Sequence, residues 1–383
     1  MPELPEVETI ARDLRGLIAG SRIAGARSNW PRTLRSHEPE AFAAAVTGMA
    51  IEGVGRRGKQ LLIWLGPGDP SAGPDAAEPV VLTVHLKMTG QLFVVPVGTP
   101  QDRHVHLVLE LADGRELRFR DMRKFGRIGL YGRDPATGLP LEGQAAGVLA
   151  AGAEPLSDDF TAPRFAAMLA ARRGRLKTLL MNQDFLAGVG NIYADESLWR
   201  ARLHPLRDAR SLRRGEVRRL HGALLDVLSE AVMHRGSSVD DYTAPGGDGS
   251  MQERLAVYQR AGDPCLRCGR PIRRIVVGGR STHFCGWCQR LPAGQRAAVA
   301  RLLGTAGGAA GRAGSAGAAG AAGAAGVAAK ATDRIRRGPR WTELSGENPL
   351  GRTADEEARA RRVAATREAA ARRRADARAG GPA

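Results

Sequence analysis

All four cysteines of this chain lie between positions 265 and 288, as Cys265-Leu-Arg-Cys268 and Cys285-Gly-Trp-Cys288, with 16 residues between the pairs. Each CxxC is a turn that presents two thiolates to one ion, and four thiolates suit tetrahedral zinc. Four sulfurs fill the shell, so the zinc is expected to be structural, and His283 is a possible but unneeded competitor. An iron–sulfur site is the alternative. A second reactive feature is the start, Met1-Pro2-Glu3. Removing a methionine that precedes proline exposes a secondary amine, and α-amino groups titrate near neutrality, far below lysine. Such an amine attacking a sugar C1′ gives an iminium, which acidifies the neighbouring proton and permits elimination. Glu3 and Glu6 stand beside it as carboxylates able to move protons. The same residues also read as the capping residues of a helix, and spacing alone leaves both readings open.

The elements that must position these groups follow from periodicity. Val7, Ile10, Leu14 and Leu17 recur at helical spacing, Pro5 suits an early helical position and Gly20 marks a stop. From about residue 49 to 132 the pattern becomes short strands: 61–65, 80–86, 92–97 and an alternating 104–111. Asp113-Gly114 then supplies a turn before 116–120. Strands this close, without helices between them, indicate an antiparallel sandwich or barrel. The stretch 66–79 reads as a surface loop. Helices are expected at 164–172, 176–182, 193–200 and 216–234. Between the cysteine pairs, 272–277 and 280–284 form a hairpin around Gly278-Gly279, which places Arg280 at its tip. There a guanidinium can grip a phosphate, or simply be a solvated surface arginine.

Fifty-seven Lys and Arg against 40 Asp and Glu give a net charge of +17, which favours a polyanion: nucleic acid or an anionic membrane surface. The start carries no basic segment with an apolar run, and no stretch is long and apolar enough to span a membrane. With every cysteine in one module, a reducing, cytoplasmic setting is expected. Beyond about residue 305 the composition collapses to Ala, Gly and Arg. Its 14 Arg and 1 Lys against 8 acidic residues contribute +7, and the segment is expected to be a disordered basic tail with a marginal helix at 354–374. It either adds loose DNA affinity or is inert.

Five further segments occur in order: Pro2-Glu3-Leu4-Pro5-Glu6-Val7-Glu8-Thr9; Arg57-Gly58-Lys59; His85-Leu86-Lys87-Met88-Thr89-Gly90; Asp121-Met122-Arg123-Lys124-Phe125-Gly126; and Gly188-Val189-Gly190-Asn191-Ile192-Tyr193-Ala194. With the cysteine module they resemble the formamidopyrimidine-DNA glycosylases of the Fpg/Nei superfamily over about residues 1–290. Leu4 resembles the oxidised-purine branch, since the Nei branch typically has Gly there. The resemblance implies an α+β multidomain fold. An N-terminal helix plus antiparallel β-sandwich spans 1–135, a helical helix–two-turn–helix domain 150–262 and a C-terminal zinc-finger β-hairpin 263–290, followed by the tail at 305–383.

The resemblance further implies a bifunctional glycosylase and lyase acting on damaged double-stranded DNA. Oxidised purines would be excised through a Pro2 Schiff base and the strand cut by β,δ-elimination, with one structural zinc, no small-molecule cofactor and a monomeric, nucleoid-associated enzyme. Glu3 becomes the acid/base, Lys59 a phosphate ligand that assists β-elimination, and Arg280 a phosphate clamp that assists the δ step. Asn191 and the amides beside it form an anion site for phosphate. Met88, Arg123 and Phe125 fill the hole left by the everted base; from the residues alone Met88 and Phe125 also read as core. His104, Arg172, Lys177 and Tyr258 match further DNA-contacting positions. Departures are the loop at 235–242, with Ser237-Ser238 where relatives often carry Gly-Gly-Thr-Thr, together with Lys87 and Asp102. Ser237 is still expected to donate through its hydroxyl. Alternatives are a Nei-like oxidised-pyrimidine enzyme, a non-catalytic damaged-DNA-binding paralogue, and a zinc-ribbon RNA-binding or translation factor. The last leaves the amino terminus unexplained.

Overall fold

A computed structural model describes residues 1–68, 78–145, 149–237 and 249–304. The tail and most of the loops at 66–79 and 235–242 therefore lie outside the described residues. The first helix, α1 (Leu4–Ile18), starts at Pro5 in its first turn and buries Val7, Ile10, Leu14 and Ile18. Leu17, expected on that face, is exposed, because the step from Leu14 is four residues and brings Ile18 inward instead. Strand β1 (Ile23–Ser28), helix α2 (Pro39–Val46) and strands β2 (Ala50–Arg57), β3 (Gln60–Gly66), β4 (Val80–His85), β5 (Gly90–Pro96), β6 (Val105–Leu111), β7 (Arg115–Asp121) and β8 (Arg127–Gly132) follow.

These strands form two antiparallel sheets of four, ordered β1-β6-β7-β5 and β2-β3-β4-β8. One apolar core joins α1 to both sheets, with Ile63, Leu82 and Val84 from one and Leu107, Leu109 and Phe119 from the other. The expected sandwich is thus present, and it includes β1, β2 and β8 beyond the strands expected individually. The connections matter for function: Gly58-Lys59 turns β2 into β3, 86–89 joins β4 to β5, and 122–126 joins β7 to β8.

The helical part comprises α3 (Ala162–Ala170), α4 (Leu176–Leu180), α5 (Asn191–Arg200) and α6 (Arg214–Met233), around a separate core that includes Phe165, Leu180, Tyr193, Leu198, Leu220 and Leu224. Thr161 caps α3 by accepting from the Arg164 amide. The hairpin β9 (Arg273–Val277) and β10 (Arg280–Phe284) turns through Gly278 and Gly279, both at positive φ as a tight two-residue turn requires. A final helix, α7 (Ala293–Gly304), adds to the expected elements; its Val299 packs with Leu206, Ile275 and Phe284 under the hairpin. Among the described residues no helix is long and apolar enough to cross a membrane.

Candidate active site

The chain start is inserted into the molecule. Pro2 is buried, and the Leu4 amide donates to the Gly188 carbonyl at 3.0 Å, so α1 abuts the turn that opens α5. Glu3, only 2% exposed, accepts from the amides of Gly190 (2.8 Å), Ile192 (2.9 Å) and Tyr193 (3.4 Å). Its carboxylate therefore occupies the positive end of the α5 dipole. Burial nevertheless outweighs these donors and the nearby Lys59 ammonium, and pushes the Glu3 carboxyl above its ordinary pKa. Glu6 is differently placed. It accepts from the Glu3 amide (2.8 Å), the Ser237 amide (2.7 Å), the Ser237 hydroxyl (3.2 Å) and the Tyr193 phenol. Of the two carboxylates beside Pro2, Glu6 is committed to holding α1, α5 and the end of α6 together.

Lys59, 8% exposed, has its ammonium driven below the ordinary lysine pKa by burial; Glu3 and Glu6 oppose that shift, whereas Arg280 and Lys87 add to it. Lys59 thus shares one electrostatic neighbourhood with Glu3 and the hairpin-tip Arg280. Gly190 makes the closest approach possible. A Cβ there would lie 2.4 Å from the Glu3 carboxyl carbon and 2.6 Å from the Lys59 nitrogen, closer than such contacts allow. The adjacent Pro2 and Glu3 are therefore drawn together with Lys59 and Arg280, distant in sequence, by the β2–β3 turn, the α5 N-terminus and the finger.

Two loops project apolar side chains. Met88 and Phe125 are 38% and 46% exposed, so neither is a core residue, and the Arg123 guanidinium lies 5.1 Å from the Phe125 ring centre. One fully buried carboxylate, Asp121, fixes both loops: it accepts from Thr89 Oγ1 and from the Arg123 (3.1 Å) and Gly126 (2.7 Å) amides. Sequence reasoning assigns Asp121 no role, because its Thr89 partner lies on another loop.

The remaining expected DNA contacts divide. Arg172 is exposed and His104 half-buried, where its amide donates to Asp102 (2.7 Å). Tyr258 is half-buried, edge-on to His283 at 5.2 Å, with its amide on Glu196. Lys177 is not a surface contact: it is 1% exposed, paired with Asp195 at 2.8 Å, and donates to the Ser281 carbonyl at 2.8 Å. Asp195 also accepts the His283 amide (2.8 Å), so this pair ties β10 to α5 immediately behind Arg280. The anion site expected at Asn191 is likewise corrected in part, since the neighbouring amides are taken by Glu3, not left for phosphate. The Asn191 side chain itself keeps an unpartnered Oδ1 among the described residues. Nor is the Ser237 hydroxyl left for a lesion, being spent on Glu6.

In the finger, the four cysteine sulfurs lie within 4.8 Å of one another, with Cys265–Cys288 at 4.0 Å and Cys268–Cys285 at 3.5 Å. Tetrahedral zinc with Zn–S bonds of roughly 2.3 Å needs sulfurs about 3.8 Å apart, so the set fits this ion. Gln289 braces the finger, accepting from the Cys285 amide (2.9 Å) and donating to the Leu203 carbonyl (2.8 Å). Chelation of zinc, or Cys285→Ser, is expected to unfold the finger and abolish tight DNA binding in an electrophoretic titration, because the metal supplies the folding energy of so small a module. Binding by metal-free protein as tight as before would contradict this.

Three family models match in order: the formamidopyrimidine-DNA glycosylase N-terminal domain over 1–128, its H2TH domain over 151–243, and the zinc finger found in FPG and IleRS over 262–291. The formamidopyrimidine-DNA glycosylase of Herpetosiphon aurantiacus is 46% identical over 76% of this chain and 100% of its own length, and that of Symbiobacterium thermophilum 44% identical over 77% and 91%. Among solved structures, Lactococcus lactis Fpg in complex with abasic-site DNA superposes with a TM-score of 0.66 at 34% identity, covering 76% of this chain and all of that one. Fold and site together are those of a DNA-binding glycosylase of base excision repair. The chain belongs to the formamidopyrimidine-DNA glycosylase family, and its four cysteines hold a structural zinc.

Proposed function

We propose that the enzyme excises oxidised purines, 8-oxoguanine and formamidopyrimidines, and then cuts the strand as a lyase. The observation that carries this reading is the convergence of Glu3 and Lys59 at Gly190, under a chain start that ends in Pro2. With Met1 removed, the Pro2 nitrogen attacks C1′ and loses its proton, the glycosidic bond breaks and the base leaves with a proton; the C1′–O4′ bond then breaks, O4′ takes up a proton as the sugar ring opens, and C1′ becomes a Pro2 iminium. Glu3 serves the proton transfers at the sugar, its raised pKa keeping it protonated at a pH where an exposed carboxyl is not. The resulting iminium makes the C2′ proton acidic. Its removal expels the 3′ phosphate (β), and a second elimination expels the 5′ phosphate (δ). Lys59 and Arg280 neutralise these leaving groups. Hydrolysis returns the free amine. Met88, Arg123 and Phe125 fill the vacated stack, while Asn191, His104, Arg172 and Tyr258 hold the backbone.

That relatives at 39–46% identity carry the name formamidopyrimidine-DNA glycosylase, and that a Lactococcus lactis Fpg variant has been solved with Fapy-dG-containing DNA, supports the purine substrate class. Borohydride reduction with duplexes bearing 8-oxoguanine, an oxidised pyrimidine or an abasic site tests it. Covalent adducts are expected with 8-oxoguanine and the abasic site. Trapping on the oxidised pyrimidine in preference to 8-oxoguanine would shift the substrate class, and no adduct on any duplex would sink the Schiff-base mechanism.

A further inference from the structure

One element under the finger lies beyond the matched part of the chain. The zinc-finger match ends at residue 291, and the Herpetosiphon aurantiacus enzyme, covered over its whole length, aligns over 291 residues. Helix α7 (Ala293–Gly304) follows directly. A helix of 12 residues is marginal on its own in water, so what it rests on decides whether it forms. Between 293 and 300 its inward stripe is Gln295 and Val299, four residues apart, and the other side chains there are exposed. Val299, 4% exposed, joins Leu206, Ile275, Val277, Phe284 and Leu291 in one apolar cluster. Gln295 Oε1 accepts from the Asp208 amide at 2.9 Å, and Arg296 Nε donates to the Leu291 carbonyl at 3.3 Å. The helix is thus seated on β9 and on the 204–208 loop at once. That loop is itself fixed to α4, because the amides of Leu176 and Lys177 donate to the Arg207 (2.9 Å) and Pro205 (3.1 Å) carbonyls.

We propose that α7 is a positioning element for the DNA clamp, with Val299 its positioning residue, and that it holds β9 so that Arg280 stays aimed at the phosphate it helps to expel. Arg280 is exposed at the hairpin tip, so the strands beneath it set its place. Its cross-strand partner is Val277, a member of the Val299 cluster; Ile275, two residues back on the same face of β9, is another. The opposite strand has separate anchors, the Ser281 carbonyl on Lys177 and the His283 amide on Asp195. Polar ties thus hold β10 to α4 and α5, and packing under α7 holds β9. A two-stranded hairpin is marginal without such support, and a shift of about 1 Å at a catalytic group costs about 10²-fold in rate. A small apolar contact at the base of the hairpin therefore has a large effect at its tip.

This role for α7 rests on the reading of Arg280 as the group that assists the δ step, and the experiment separates the two. Full-length Val299→Asp, which places a carboxylate in the apolar cluster, is compared with Val299→Leu and the unaltered enzyme in single turnover on an 8-oxoguanine duplex, with enzyme in excess. In Val299→Asp base release is expected at the unaltered rate, while the δ step slows on the order of tenfold to a hundredfold and the β product accumulates. Zinc should stay bound, and hydrogen exchange of the amides at 273–284 should quicken. Val299→Leu, which keeps the cluster apolar, should restore both the product ratio and the protection. An unchanged ratio of β to δ product in Val299→Asp would overturn the proposal, and so would loss of zinc, which would make α7 part of the finger's own fold. If the unaltered enzyme gives no δ product, the reading of Arg280 falls instead. Exchange at 273–284 then decides the brace alone: unchanged protection in Val299→Asp overturns it and quickened exchange supports it.

Discussion

Any residue left attached ahead of Pro2, and equally Pro2→Gly, is expected to silence base excision and borohydride trapping while leaving the fold intact. An acylated proline nitrogen has no basic lone pair, so retaining a preceding residue removes the nucleophile itself. Removing a covalent nucleophile typically costs a factor on the order of 10⁴ to 10⁶ in rate. Glycine keeps an amine but loses the secondary nitrogen, whose iminium has no N–H proton to lose and so stays cationic, and with it the ring that packs in the buried start of α1. Stability should hardly change, because α1 is anchored from Leu4 onward, by the Leu4 amide on Gly188 and by Val7, Ile10 and Leu14 in the core. The measurement is peptide mapping of the trapped adduct beside a thermal melt. Lys59 is the competing nucleophile: a buried lysine whose pKa is depressed by desolvation, the usual route to a reactive amine. An adduct that persists in the extended protein and maps to Lys59 would transfer the chemistry there.

What the sequence makes legible depends on the range of the interaction concerned. The finger is legible because its determinants are local: two CxxC turns, a Gly-Gly hairpin, and Arg280 placed by register alone. The strands between 61 and 120 are legible from alternation, and α5 from the glycines before Asn191. What cannot be read is which groups already have partners. Asn191 and its amides look like an empty anion site until Glu3, from the start of the chain, is seen to fill it. Lys177 is expected to contact DNA only because it matches a DNA-contacting position of the family, and only the fold reveals Asp195 and the Ser281 carbonyl as its partners. Met88 and Phe125 carry the opposite ambiguity, apolar residues that the fold leaves exposed. Asp121 and Glu6 serve as braces through long-range hydrogen bonds to loops that no periodicity connects.

Gly190→Ala is expected to lower kcat by about 10²-fold without unfolding the protein, the scale that follows from misplacing catalytic groups by about 1 Å. Its backbone, at φ −130° and ψ −151°, is extended and suits alanine, so the effect is steric and confined to what the new methyl meets. That is the Glu3 carboxyl and the Lys59 ammonium together. Displacing Glu3 toward solvent relieves the desolvation that chiefly raises its pKa. A proton donor loses activity as pH rises through its pKa. In the unaltered enzyme the limb governed by Glu3 should therefore lie above pH 4.5, and in Gly190→Ala it should move down. Glu3→Gln is expected to remove that limb and to lower kcat by roughly 10² to 10⁴, the usual range for general acid–base catalysis. Both substitutions disturb Glu3, so their losses should be less than additive; what the double variant loses beyond Glu3→Gln alone is the share that Gly190→Ala takes through Lys59. Full additivity in that cycle would place the effect on Lys59 and not on Glu3, and a Gly190→Ala enzyme with unchanged kcat and pH profile would mean that the close approach at Gly190 does not set the position of the catalytic carboxylate.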